Sequence, residues 1–168
     1  GDLQEGVSAE ASSLAGTQEL GALNLVYDDN RISIEGDTHN AFTEDVSARY
    51  RAYGWHVIDV AAAANGSVDI AALDAALVAA KKETTKPSLI RMKSVIAWPA
   101  PKAQGTAGSH GSALGDEEIA ATKVALGLNP EEKFAMPADV LAHARLVKER
   151  GAKVRKEWDT KFATWQTT

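Results

Sequence analysis

The 168 residues contain no cysteine, so neither disulfide nor thiolate chemistry is open to the chain, and a reducing, cytoplasmic setting is the expectation. No apolar run approaches the roughly 20 residues that a membrane-crossing helix needs. No block of Lys and Arg interleaves with aromatics and the net charge is −5, which argues against nucleic acid as a partner. No internal repeat and no low-complexity tract is present. There is also no initiator Met: the chain opens at "GDLQEG" and reads as a piece of something longer. What remains, 45% hydrophobic and 24% charged residues, is the composition of a globular domain with a sizeable core.

Strand and helix signals alternate. Residues 5–20 place Val7, Ala11, Leu14 and Ala15 at helical spacing, with Gly21 as the stop, and "LNLVYDD" (23–29) follows as a short buried strand. Thr43 is the expected N-cap of a helix presenting Val46, Tyr50 and Tyr53 and stopped by Gly54. "WHVIDVA" (55–61) is the next strand. Asp69 caps a helix striped by Ile70, Leu73, Leu77 and Ala80, Pro87 breaks it, and "SLIRMKSVIAW" (88–98) is a third strand. The pattern predicts an α/β fold with a mostly parallel sheet, flanking helices and right-handed crossovers. Residues 99–115 form a Gly/Pro/Ser-rich loop too long to be a casual connection. Asp116, Glu117 and Glu118 open a helix that ends near Gly127, with the acids at its positive end. A helical segment then runs from Ala138 almost to the terminus, with Gly151 as a point of interruption. The expected division is an α/β domain over 1–137 and a C-terminal helical segment over 138–168.

The chemistry concentrates where the first strand ends. "YDDNRISIEGD" (27–37) sets three acidic residues, an asparagine and an arginine directly after an apolar run. Ligands of open parallel sheets bind beyond the carboxyl ends of the strands. Asn30 stands at that edge, and Gly1, leading into the first helix, offers a backbone N–H to a phosphate cradle. An Asn oxygen and backbone carbonyls suit Mg2+ or Ca2+, hard cations that share coordination with diphosphate. A polar turn capping a strand accounts for the same residues, and the spacing alone does not choose between the two readings.

Several separated stretches carry a resemblance. "GDLQEGVSAEASSLAG", "LGALNLVYDDNRISIEGD", "FTEDVSARYRAYGWHV", "KPSLIRMKSVIAWPAPKAQGTAGSHGSALGDEEI" and the terminal "KEWDTKF" together resemble the diphosphate-binding domain of the transketolase family, thiamine-diphosphate enzymes of the pentose phosphate pathway. The family's cofactor motif runs from a Gly-Asp-Gly triplet to a closing Asn; Gly1 matches the last glycine and Asn30 the closing residue. The resemblance implies that Asn30 binds the divalent metal, Mg2+ or Ca2+, through its side chain and Ile32 through its carbonyl. It implies that Gly1 touches the diphosphate through its amide and that Ile34 packs against the cofactor rings. His110, in "GSHG", is implied to lie near the diphosphate and the reacting sugar carbons, as a catalytic and cofactor-binding residue. Glu5 is implied to join a carboxylate network across the interface of a homodimer. The motif aspartate would immediately precede Gly1.

The implied activity is transfer of a two-carbon ketol unit between a ketose phosphate and an aldose phosphate. A non-catalytic half of a split thiamine-diphosphate enzyme, or an assembly module pairing with a pyrimidine-binding partner, is the alternative. The chain by itself is expected to be inactive and to bind the cofactor poorly, since the resemblance places the rest of the pocket elsewhere. Asp28, Asp29 and Arg31 are not expected to be ligands, and Asp29 is the better suited of the two acids to a structural role. His39, His56, His143 and the four tryptophans are expected to be structural or surface residues.

Overall fold

The computed structural model describes residues 1–167. The chain divides into two compact units, Gly1–Pro130 and Glu131–Thr168. In the first, β1 (Asn24–Asp29), β4 (His56–Val60) and β5 (Ser88–Lys93) form a parallel sheet in the order β1-β5-β4. A separate two-stranded antiparallel hairpin, β2 (Ile32–Ser33) and β3 (Gly36–Asp37), follows β1 directly. The α/β class and the parallel pairing are as expected from the sequence.

The central strand organises the core. Ser88, Leu89 and Ile90 are fully buried, and the alternation of side chains along a strand sends Leu89 and Ile90 to opposite faces. Leu89 packs with Ala15 of α1 (Gly6–Thr17), Val46 and Tyr50 of α2 (Val46–Ala52), and Trp55. Ile90 packs with Val60 and with Ala76 and Ala80 of α3 (Ile70–Lys82). The sheet is therefore covered on both faces, as parallel sheets require.

Both well-packed helices turn a smaller face inward than the sequence suggests. In α1 the buried residues are Ser12 and Ala15, whereas Val7 and Leu14 are 68% and 61% exposed. Gly16 explains the choice: without a side chain it lets α1 lie directly on the Tyr53 carbonyl. Ser12 then donates through Oγ to Tyr50 Oη (3.1 Å) and accepts the Trp55 indole N–H at its carbonyl (2.8 Å). In α3 the alanines at 76 and 80 are buried, while Ile70 is 71% exposed. Small residues let the helix approach the sheet closely.

Other boundaries shift for local reasons. Asp45, not Thr43, caps α2, its carboxylate accepting from the Ala48 N–H at 3.0 Å. Asp69 caps α3 as expected, accepting from the Ala72 N–H at 2.9 Å. β5 ends at Lys93 rather than continuing to Trp98, because its neighbours end at Asp29 and Val60 and leave no ladder partner beyond. The loop after it is ordered by turns: Gly105 N–H donates to the Ile96 carbonyl, and the hydroxyls of Thr106 and Ser109 both donate to the Ala103 carbonyl. α4 (Asp116–Ala125) follows, and its buried Glu118 accepts from the N–H groups of Lys102 and Ala103 at 2.6 and 2.9 Å.

In the second unit α5 runs without a break from Ala138 to Gln166, passing through Gly151. Trp158, Phe162 and Trp165 stack in sequence along it, with centroid separations of 4.7 and 5.6 Å. Among the described residues no helix is long and apolar enough to cross a membrane.

Candidate functional site

The carboxyl end of β1 opens onto a cavity of about 320 Å³ whose wall includes Gly1, Tyr27, Asp28, Asn30, Ile32 and His110. Four of the residues singled out by sequence, Gly1, Asn30, Ile32 and His110, are thus brought to one place. They arrive from three segments. Gly1 precedes a short 3-10 turn (Asp2–Gln4), Asn30 and Ile32 flank the exit of β1, and His110 ends a second 3-10 turn (Ala107–His110) in the ordered loop after β5. Glu5 and Ile34 are not among the lining residues. Glu5 is the exposed N-cap of α1, and Ile34 sits at the tip of the β2–β3 hairpin, 69% exposed.

The backbone at Asn30 is locally fixed. Its Oδ1 accepts the Ile32 N–H at 2.9 Å, closing a turn around Arg31. Arg31 takes φ +62°, the left-handed region, at a cost of about 1 kcal/mol for a residue with a Cβ. Its carbonyl accepts the Thr38 N–H at 2.9 Å, which anchors the start of the hairpin. Its guanidinium is exposed and pairs with Asp37 at 3.4 Å.

The two aspartates before Asn30 differ. Asp28 is exposed, lines the cavity and accepts a hydrogen bond from the Ser94 hydroxyl. Asp29 points to the other face and is buried. Burial works against its ionisation, but hydrogen bonds from Lys93 and Arg91, together with their charges, more than offset this and hold its carboxyl below the usual range. Burial, with the carboxylates of Asp29 and Asp28, pushes the Tyr27 phenol up against a smaller opposing effect of Arg91 and Arg49.

The oxygen-rich end of β1 fits a hard divalent cation in part. The Asn30 side chain and the Ile32 backbone each bring an oxygen of the type Mg2+ and Ca2+ prefer. Among the described residues no group of three His, Cys, Asp or Glu is arranged to hold a metal without help. A cation here would take further ligands from an anion with several oxygens, which a diphosphate supplies. A larger, open hollow of about 500 Å³ lies between Lys102 and Glu118, but its buried carboxylate is already committed to two backbone N–H groups.

Sequence reasoning did not anticipate Leu3, Thr38 and Phe42, which also line the cavity. Leu3 and Phe42 are apolar and partly buried, and nothing in their local pattern separates a cavity wall from a core edge. Arg91 and Lys93 were likewise not singled out. The signal for them is the parallel register, which sets Lys93 beside Asp29.

Comparisons with known proteins agree on one family. A family profile described as "Transketolase, thiamine diphosphate binding domain" matches residues 1–168. Transketolase of Mycobacterium leprae is 46% identical over 165 residues, covering 98% of this chain and 23% of the relative. Transketolase of Scheffersomyces stipitis is 47% identical over 166 residues, covering 99% of this chain and 24% of the relative. Among solved structures, the Pichia stipitis transketolase complex with sedoheptulose-7-phosphate superposes with a TM-score of 0.85 at 47% identity, covering 98% of this chain and 24% of that one. Transketolase from Leishmania mexicana gives 0.83 at 39% identity, covering 94% and 23%. The chain therefore spans about a quarter of the length of the relatives it matches. Within that span the match is nearly continuous, and the chain belongs to the transketolase family, in its thiamine diphosphate-binding domain.

Proposed function

We propose that the chain is the diphosphate-binding part of a cytoplasmic, homodimeric transketolase that moves a two-carbon ketol unit from a ketose phosphate to an aldose phosphate. The observation that carries this reading is the convergence of Gly1, Asn30, Ile32 and His110 on one cavity at the carboxyl end of a parallel strand. When bound, thiamine diphosphate supplies the electron sink for the transfer. The protein's part is to bind and orient. Asn30 Oδ1 and the Ile32 carbonyl hold Mg2+ or Ca2+, and the Gly1 amide faces the diphosphate. Ile34, exposed at its hairpin tip, is free to pack against the cofactor rings. His110 moves or holds a proton at the donor hydroxyl. Glu5, exposed at the start of α1, belongs to the dimer interface. The solved Pichia stipitis relatives, in complexes with sugar phosphates, support that substrate class.

The test is cofactor titration of the complete enzyme at fixed Mg2+. Asn30→Ala is expected to weaken thiamine diphosphate binding by at least about tenfold, since the cation loses an oxygen ligand opposite two diphosphate charges. Arg31→Ala, which changes an exposed side chain outside the cavity lining, is expected to stay within about 0.5 kcal/mol of wild type. Equal affinities for Asn30→Ala and wild type would remove the metal role.

A further inference from the structure

Behind Asn30 lies an ion cluster that ties the ends of all three strands of the parallel sheet. Asp29, the residue before Asn30, is 6% exposed, and three N–H groups from β5 converge on its Oδ2. Arg91 contributes Nε and Nη2, each at 2.8 Å, and Lys93 contributes Nζ at 2.7 Å. Arg91 Nη1 reaches the other way, 3.8 Å from Asp59 Oδ1 on β4. The Asp59 carboxylate in turn accepts from Ser47 Oγ at 2.6 Å and from Arg51 Nη2 at 2.9 Å, both on α2.

Charge balance alone does not require this arrangement. Lys93 already neutralises Asp29, and Lys93 is its register partner on the adjacent strand. What Arg91 adds is direction. A lysine ammonium is a point charge on a flexible stem, whereas Nε and Nη2 of the planar guanidinium close together on the one oxygen Oδ2 and hold it from a fixed plane. Arg91 also emanates from the central strand, whose neighbouring residues Leu89 and Ile90 are fully buried, so the fork has a rigid base. The Asp29 carboxylate is thus held from the most deeply packed strand in the fold, one residue from the side chain that faces the cavity.

We infer that Arg91 is a positioning residue for the cation at Asn30: its grip on Asp29 fixes the end of β1 so that Asn30 Oδ1 is in place before a cation arrives. The inference rests on the reading that Asn30 holds a divalent cation.

The test uses the complete enzyme and three variants, Arg91→Met, Arg91→Lys and Asn30→Ala. Thiamine diphosphate binding is followed by calorimetry at a series of Mg2+ concentrations, alongside the unfolding temperature without ligand. Arg91→Met is expected to raise the Mg2+ needed for half-maximal cofactor binding by about tenfold, the low end of the loss when a residue bonded directly to a ligand is removed, because Arg91 acts on Asn30 through Asp29. Arg91→Lys, which keeps the charge but not the fork, is expected to recover only part of that loss. An unchanged midpoint for Arg91→Met beside a raised one for Asn30→Ala overturns the positioning role and leaves the cation reading standing. Unchanged midpoints in both overturn the cation reading, and the positioning role with it. A lower unfolding temperature with an unchanged midpoint makes Arg91 a purely structural residue. Should Arg91→Met not fold, the Arg91→Lys midpoint decides in the same way.

Discussion

Replacing His110 with alanine is expected to lower turnover of the complete enzyme by roughly 10²–10⁴-fold while leaving the fold intact, the range for loss of a general acid–base group. The expectation follows from where the ring sits and from what does not depend on it. His110 closes the Ala107–His110 turn and shares a cavity with Gly1 and Asn30, the residues proposed to face the diphosphate and its cation. The loop that carries it is held by other groups. Thr106 and Ser109 bond the Ala103 carbonyl, and Glu118 bonds the N–H groups of Lys102 and Ala103. Truncating the exposed imidazole removes none of these. Steady-state kinetics with a ketose phosphate donor, with circular dichroism to confirm the fold, is the measurement. A rate equal to wild type would leave His110 as part of the cavity wall and nothing more.

The second large effect concerns stability. Gly16→Ala is expected to destabilise the protein by about 3 kcal/mol or more, although alanine is the better helix former by about 1 kcal/mol. An added Cβ would stand 1.8 Å from the Tyr53 carbonyl oxygen and 2.9 Å from its carbon. Both are backbone atoms, so no side chain can swing away; α1 itself must lift. Lifting it opens the Ser12–Tyr50 and Ser12–Trp55 hydrogen bonds together and uncovers Ala15. Gly6 is the control. It lies in the same helix with no atom within 4 Å of its added Cβ, so Gly6→Ala should be neutral or slightly stabilising. Thermal unfolding of both variants decides the matter. A Gly16→Ala protein as stable as Gly6→Ala would mean that α1 does not rest on Tyr53.

These effects also mark what could be read from the chain alone. The alternation of the three sheet strands with their helices and the Asp69 cap were legible from local pattern, and Gly1 and Asn30 from the geometry of parallel sheets; the β2–β3 hairpin was not, and Ile32 and His110 were reached only through the family resemblance. The inward faces of α1 and α3 were legible only in part: Ala15, Ala80 and Leu73 face inward as expected, the larger Leu14 and Ile70 do not. Periodicity favours large apolar residues such as Leu14 and Ile70, yet packing here is set by close approach, and close approach selects Ser12, Ala15 and Gly16 in one helix and Ala76 and Ala80 in the other. The end of β5 was misplaced for a related reason. Apolar residues continue to Trp98, but a strand lasts only while its neighbours last, and that is a property of three segments rather than one. The Arg91–Asp29 contact spans 62 residues, and only the register reveals it.

The central strand and the hairpin should also run on different clocks. β5 is paired on both sides and its amides at Leu89 and Ile90 lie in full burial, so their hydrogen–deuterium exchange requires opening of the whole unit. The β2–β3 hairpin has two residues in each strand and, among the described residues, no other strand beside it, so its amides exchange through brief local openings. Asn30 is tethered to the slow part and Ile32 to the fast one. A ligand that bridges them should leave exchange at Leu89 and Ile90 almost unchanged and slow it sharply from Ile32 to Asp37, recording occupancy in the isotope pattern of a single hairpin.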